Sequence, residues 1–339
     1  MAERFPAPSQ MFFVSVALAA LVALVLATAP GELRSPAGGM SVAVKAWSEG
    51  QTKPTNANGS ADGVESEQPI PVSEERDRQV LPGEGDMALV YGPWDRGGWS
   101  DIYDQPGEDR QRIRQALLGD RVKILRVLGD WSEVEFGSDY DSPGWIKNAH
   151  LTVGSKRVRE AWAGEIHLVV EAPGIQLRNV GFLPFAASLA ATPTEGSLLL
   201  PDGRTVELPR KFYRSRRDSM EVGEALWRVE RFRNGPPYEN GGNTRDAMSG
   251  AGLIFLFFRV LGDSPRDPQA QLEFGKEIPQ DDANAGDVIF VPRFSELPPQ
   301  PGILRDPESF LWASPESGVE VRRLQDMGNR EPLKFRRFR

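Results

Sequence analysis

Few side chains in this sequence are suited to covalent chemistry. It has no cysteine and two histidines, His150 and His167, which excludes thiolate attack, disulfides, thiolate metal sites and a lipid-acylated cysteine. The hydroxyl best placed to attack is that of Ser249, just ahead of an apolar run over residues 252–261 (GLIFLFFRVL) that predicts a buried helix. A serine nucleophile needs an adjacent base, and neither of the strands predicted at 302–305 and 310–313 supplies one. The carboxylates have no metal-ligand spacing. Asp281 with Asp282, and Glu224, Glu230 and Glu239, read as ordinary solvated charges, and no metal or other cofactor is called for. His150 reads as structural at the end of a strand, and His167 as a surface or satisfied residue in an alternating strand.

The elements that must position Ser249 and its neighbours lie in the second half of the chain. With 339 residues, 40% hydrophobic and 26% charged, the sequence has room for two or three cores. Its formal charge of -8 argues against a nucleic-acid partner, although residues 334–339 (KFRRFR) are locally basic and read as a surface strand or tail. Residues 11–29 (MFFVSVALAALVALVLATA) are apolar and uncharged. At about 1.5 Å of rise per residue this run just spans a hydrocarbon core of roughly 30 Å, and Ala27-Thr28-Ala29 before Pro30 fits a cleavage site. A cleaved signal peptide over 1–29 and an uncleaved membrane anchor are both open. Either one exports the rest of the chain to the periplasm or cell envelope. Residues 30–85, rich in Pro, Gly, Ser, Asn and Glu, predict a disordered tether.

From 86 to 153 the pattern changes to short strands separated by Gly and Asp turns, with Val122-Lys123-Ile124-Leu125 and Trp131-Ser132-Glu133-Val134 flanking Leu128-Gly129-Asp130. A second unit over 164–214 predicts strands at 166–170, 197–200 and 205–208, with an Asp-Gly turn at Asp202-Gly203. Helical periodicity is expected only after that. Residues 221–232 place Val222, Ala225, Leu226, Val229 and Phe232 on one face, and strands are predicted at 287–291, 302–305, 310–313 and 319–323.

Several motifs then give the pattern a family likeness. The stretch LLGDRVKILRVLGDWSEVEF, with GWIKNAHL after it, resembles a bacterial SH3-like barrel, and 164–214 is similar to a degenerate second one. Residues 221–339 resemble the NlpC family of papain-like cell-wall peptidases, the γ-D-glutamyl-diamino-acid endopeptidases. Pro237-Tyr238-Glu239-Asn240-Gly241-Gly242 stands for that family's Pro-Tyr-x-Trp-Gly-Gly, Ser264-Pro265-Arg266-Asp267 for its Leu-Pro-Arg-Asp, and Ala285-Gly286-Asp287-Val288-Ile289-Phe290 for its Pro-Gly-Asp-Leu-Val-Phe. The fold implied is α+β, two small all-β SH3-like barrels followed by a papain-like NlpC domain.

The resemblance also assigns the site. Ser249-Gly250-Ala251-Gly252-Leu253 stands where the family reads Asp-Cys-Ser-Gly-Leu, so the nucleophile falls on Gly250. The general base of the His-Val-Gly-Ile strand falls on Gln300, and the second polar group of the Phe-Ile-His-Ala strand on Trp312. None of the three can attack a carbonyl or take a proton. Tyr238, Ser249 and Ala251 occupy positions that imply contact with substrate. Loss of the side chain at Gly250 predicts an enlarged cleft, partly filled by the ring of Trp312. The implied function is that of an exported, catalytically inactive pseudopeptidase that binds peptidoglycan stem peptide or regulates a cell-wall hydrolase. The alternatives are a non-enzymatic envelope adaptor, whose partner is another envelope protein, and an active peptidoglycan endopeptidase. Membrane contact is expected through the N-terminal segment if it is uncleaved.

Overall fold

The computed structural model describes Val72 and residues 80–93, 97–137, 141–178, 181–262, 264–292, 298–327 and 332–339. The apolar run at 11–29, with the leader or anchor expected of it, lies outside the described residues. So does the expected tether, apart from Val72 and residues 80–85. Those are fixed in place: Val72 bridges to Val206, Val80 accepts a backbone hydrogen bond from Val153, and Gly85 donates one to Ile124. Among the described residues no helix is long and apolar enough to cross a membrane.

The first β unit contains β1 (Met87–Val90), β2 (Trp99–Tyr103), β3 (Arg112–Leu117), β4 (Arg121–Leu128), β5 (Trp131–Glu135), β6 (Gly144–Lys147) and β7 (Leu151–Thr152). They pair antiparallel in the linear order β3-β2-β6-β5-β4-β1-β7. Period-2 alternation builds the core. In β4, Val122 and Ile124 are fully buried while Arg121 and Lys123 face solvent, and they pack with Val90, Val134 and Ile146. His150 lies on a 3-10 turn, Asn148–His150, between β6 and β7, not at the end of a strand as its sequence context predicts.

A helix the periodicity did not announce follows, α1 (Lys156–Trp162), capped by Ser155. Seven residues are too short for a periodic signal, and only Val158 and Trp162, one turn apart, are buried. The second β unit then adds β8 (Ile166–Val169), β9 (Gly174–Leu177), β10 (Gly181–Pro184), β11 (Ser188–Ala191), β12 (Ser197–Leu199), β13 (Thr205–Glu207) and β14 (Tyr213–Ser215). Five of these form a sheet in the order β13-β12-β11-β8-β14, and β9 pairs with β10 apart from it. The Asp-Gly turn is present, with Leu200 and Arg204 hydrogen-bonded across it and Gly203 at φ 86°. His167 sits in β8, edge-on to Tyr213, and its burial lowers its pKa against the pull of Glu165.

The last unit contains α2 (Val222–Glu230), α3 (Gly250–Leu261), α4 (Pro268–Glu273) and strands β15 (Lys276–Ile278), β16 (Val288–Val291), β17 (Gln300–Asp306), β18 (Ser309–Ser314), β19 (Gly318–Arg323) and β20 (Lys334–Arg337). The basic C-terminal residues form an inner strand, in a six-stranded sheet ordered β15-β20-β16-β17-β18-β19. Every residue of α3 is buried. One sheet face, through Val288, Phe290, Ile303, Leu311 and Ala313, packs on α3, and the other builds a separate cluster around Ile289, Leu304, Phe310 and Phe335.

Candidate functional site

The head of α3 is fixed by its own cap. Ser249 is extended, and its hydroxyl accepts from Gly252 N at 3.0 Å and donates to the Gly242 carbonyl at 2.9 Å. Both capacities of the hydroxyl are therefore spent on holding the helix to the loop that precedes it. The approach is close enough to require glycine. A Cβ on Gly252 would lie 1.9 Å from the Gly242 carbonyl oxygen.

At Gly250 the expected enlargement of the cleft does not occur. A Cβ built there would stand 2.6 Å from the carbonyl oxygen of Pro301 and 3.1 Å from its Cδ, inside the separation that real Cβ atoms keep. β17 lies close against the head of the helix, and Gly250 is buried. The residue filling the space is Pro301, next in sequence to the position assigned to the base. Sequence reasoning missed it, although a proline inside an inner strand was a visible signal.

Gln300 and Tyr238 are brought together. The buried Gln300 amide donates to the Tyr238 hydroxyl at 2.7 Å, which in turn donates to Asn240 Oδ1 at 2.9 Å. The Ala251 carbonyl is occupied by the Gln271 amide at 3.0 Å, and Gln271 also reaches the Pro265 carbonyl. Trp312 is elsewhere. It pairs with Gly302 across β17 and β18 and belongs to the cluster on the sheet face away from α3, under the guanidinium of Arg322. It does not fill the space at Gly250, because strand alternation sends its neighbours Leu311 and Ala313 to α3 instead.

The loop before α3 is held by the first β unit. Gln115 of β3 accepts from Asn243 N at 2.9 Å and from the Thr244 hydroxyl at 3.1 Å, while its own amide donates to Asp101. Arg112 pairs with Glu239 at 2.6 Å and donates to the Asn240 carbonyl. Gly241, at φ 70°, lies so close to β3 that a Cβ would meet Ile113 backbone at 2.6 Å. Three carboxylates expected to be merely solvated are thus paired: Glu239 with Arg112, Glu224 with Arg228 and Arg214, and Glu230 with Arg233 and Arg305. Asp281 and Asp282 are exposed. Among the described residues no group of three or more acidic or histidine side chains is placed to hold a metal. The head of α3 thus presents a serine hydroxyl bonded to backbone, an amide–phenol pair and a proline.

Comparison with known proteins agrees with this geometry at the level of fold. The model of the bacterial dipeptidyl-peptidase SH3 domain matches residues 102–151, and that of the NlpC/P60 family matches residues 235–336. An NlpC/P60 family protein from Bacillus cereus superposes with a TM-score of 0.63 at 17% identity, over 75% of this chain and 99% of its own. An NlpC/P60 endopeptidase from Photobacterium damselae subsp. piscicida does so with a TM-score of 0.52 at 10% identity, over 71% of this chain and 65% of its own. No curated protein matches the sequence.

Proposed function

Because the chain carries a bacterial SH3 domain followed by an NlpC/P60 domain, the make-up of a cell-wall peptidase-like protein, we propose that it is a non-hydrolytic member of that group, acting by binding. Its ligand is peptidoglycan stem peptide, or it regulates a hydrolase that cuts it. One observation carries the reading: at Gly250 there is neither a nucleophile nor room for one, since a Cβ would stand 2.6 Å from the Pro301 oxygen. Supporting it, Ser249 donates its proton to a backbone carbonyl, and the residue at the base position is an amide bonded to Tyr238. A hydroxyl without a base does not attack an amide at a useful rate.

A second reading, an envelope adaptor that binds protein partners only, draws support from the burial of Ser249, Gly250 and Ala251 and from the pinning of residues 239–244 by β3. Export to the cell envelope is part of both readings and rests on the apolar run at 11–29.

Incubating the full chain with muropeptides, and following cleavage by mass spectrometry and binding by calorimetry in one sample, separates the possibilities. Binding without cleavage is the expected result. Neither binding nor cleavage transfers the weight to the adaptor, and hydrolysis overturns both readings.

A further inference from the structure

The loop between α2 and α3 contains two Asn-Gly pairs, Asn234-Gly235 and Asn240-Gly241. A glycine after asparagine leaves its backbone nitrogen unshielded by any side chain, so that nitrogen can reach the carbonyl carbon of the asparagine side chain. A nucleophile tethered beside its target in this way reacts as an intramolecular one. Both asparagines are exposed, but their glycines are held differently. The Gly235 N–H is committed to the Phe232 carbonyl at 3.1 Å, and among the described residues no backbone hydrogen bond holds that of Gly241.

The Asn240 side chain is also set up for attack. Its Oδ1 accepts from the Tyr238 hydroxyl at 2.9 Å, and the Tyr238 oxygen in turn accepts from the Gln300 amide at 2.7 Å. Attack on an amide carbonyl moves negative charge onto its oxygen, and a fixed donor at about 2.7–3.1 Å from that oxygen stabilises the charge as it develops. The bond from Gln300 makes the phenol a stronger donor, since hydrogen bonds in a chain polarise one another. Arg112 holds the Asn240 backbone carbonyl at 3.2 Å, which keeps the residue beside the phenol.

We propose that Asn240 is a site of spontaneous deamidation, promoted by the Tyr238 hydroxyl. The Gly241 nitrogen loses its proton to solvent and bonds to Asn240 Cγ, the bond from Cγ to Nδ2 breaks, and ammonia leaves with a proton taken from water. Water then opens the cyclic succinimide at one or other of its C–N bonds, giving aspartate or isoaspartate at position 240. Overall a water is consumed and an ammonia released. Either product alters the head of α3. Aspartate places a charge where an amide stood, beside Tyr238. Isoaspartate adds a carbon to the backbone next to Gly241, where even a Cβ would meet Ile113 backbone at 2.6 Å. This chemistry does not depend on whether the site binds peptide.

The test is to hold the full chain at neutral pH for weeks and follow conversion at both asparagines by peptide mass spectrometry, with isoaspartate separated from aspartate by chromatography. Asn240 is expected to convert faster than Asn234. Tyr238→Phe is expected to slow conversion at Asn240 about five-fold, the rate equivalent of about 1 kcal/mol for one net hydrogen bond. The rate at Asn234 is the internal control and should not change. A phenol that merely restrained the loop would act the opposite way, because its loss would free Asn240 and speed conversion. Conversion at Asn240 no faster than at Asn234 in the wild type overturns the proposal. So does a rate at Asn240 in Tyr238→Phe that equals or exceeds that of the wild type.

Discussion

Gly250 and Pro301 occupy each other's space: the volume a side chain at the first position of α3 would need holds the carbonyl oxygen and ring of the strand residue opposite. The position to which the family resemblance assigns a nucleophile is therefore closed by a backbone approach that leaves no room for a side chain.

Reinstating the thiol is expected to fail for that reason. Gly250→Cys, alone or with Gln300→His, puts a Cβ 2.6 Å from an oxygen that is part of a sheet. Overpacking of this sort costs about 1–3 kcal/mol, more than the gain of about 0.5–1 kcal/mol from replacing glycine in a helix. A lower Tm and no muropeptide hydrolysis are the expected outcome, and appearance of thiol-dependent cleavage in Gly250→Cys would show that the site opens readily.

Ser249→Ala separates a cap from a nucleophile. The hydroxyl caps Gly252 and bonds to Gly242, so its removal should cost about 0.5–2 kcal/mol of stability. Urea denaturation measures that loss. Ligand binding, compared at a temperature where both proteins are folded, should be unaltered if the serine is only a cap.

The Asp120 carboxylate gives the chain an acid-sensitive joint. Burial pushes its pKa up, but Arg259, Arg266 and the Leu117 N–H together outweigh burial and hold it below the usual carboxylate range. A carboxylate with a depressed folded-state pKa contributes stability that is present above its unfolded value, about 4, and is lost as pH falls through the folded value. Thermal unfolding from pH 7 to pH 3 should show a falling Tm below about pH 4. Asp120→Asn leaves the buried Arg259 guanidinium without its counter-charge and Arg266 with Asp141 alone, so it should lower stability at pH 7 by about 3–5 kcal/mol and flatten the acid limb.

Gln115 ties the loop before α3 to the first β unit through Asn243 and Thr244. Gln115→Ala strands a buried backbone N–H, at a cost of about 1–3 kcal/mol. Hydrogen exchange should quicken at residues 240–244 more than in α3, and a uniform increase across the whole unit would argue that the two units are not coupled through this residue.

Trp312 carries a buried indole N–H with no partner, on the sheet face away from α3. Trp312→Phe removes that unmet donor along with some packing, and the two effects oppose each other, so the change in stability should stay within about 1.5 kcal/mol. Trp312→His should restore no hydrolysis, even beside Gly250→Cys. Denaturation and a muropeptide assay check the two halves of this expectation.

Composition and the order of motifs carried the family resemblance and excluded one kind of chemistry. A cysteine-free sequence cannot use a thiolate, and neither Gln300 nor Trp312 can act as a base, wherever they lie in the fold. Period-2 strands such as β4 and the apolar run of α3 were also legible, because alternation and all-round hydrophobicity are local properties of the sequence. Tertiary structure decided the rest. Strand alternation sent Trp312 to the far face of its sheet, and the packing of β17 on α3 set Pro301 against Gly250. It also drew Asp120, Arg259 and Arg266 together from 146 positions of sequence separation. Each of these depends on which backbone meets which across the core, and contacts between distant segments leave no period in the sequence.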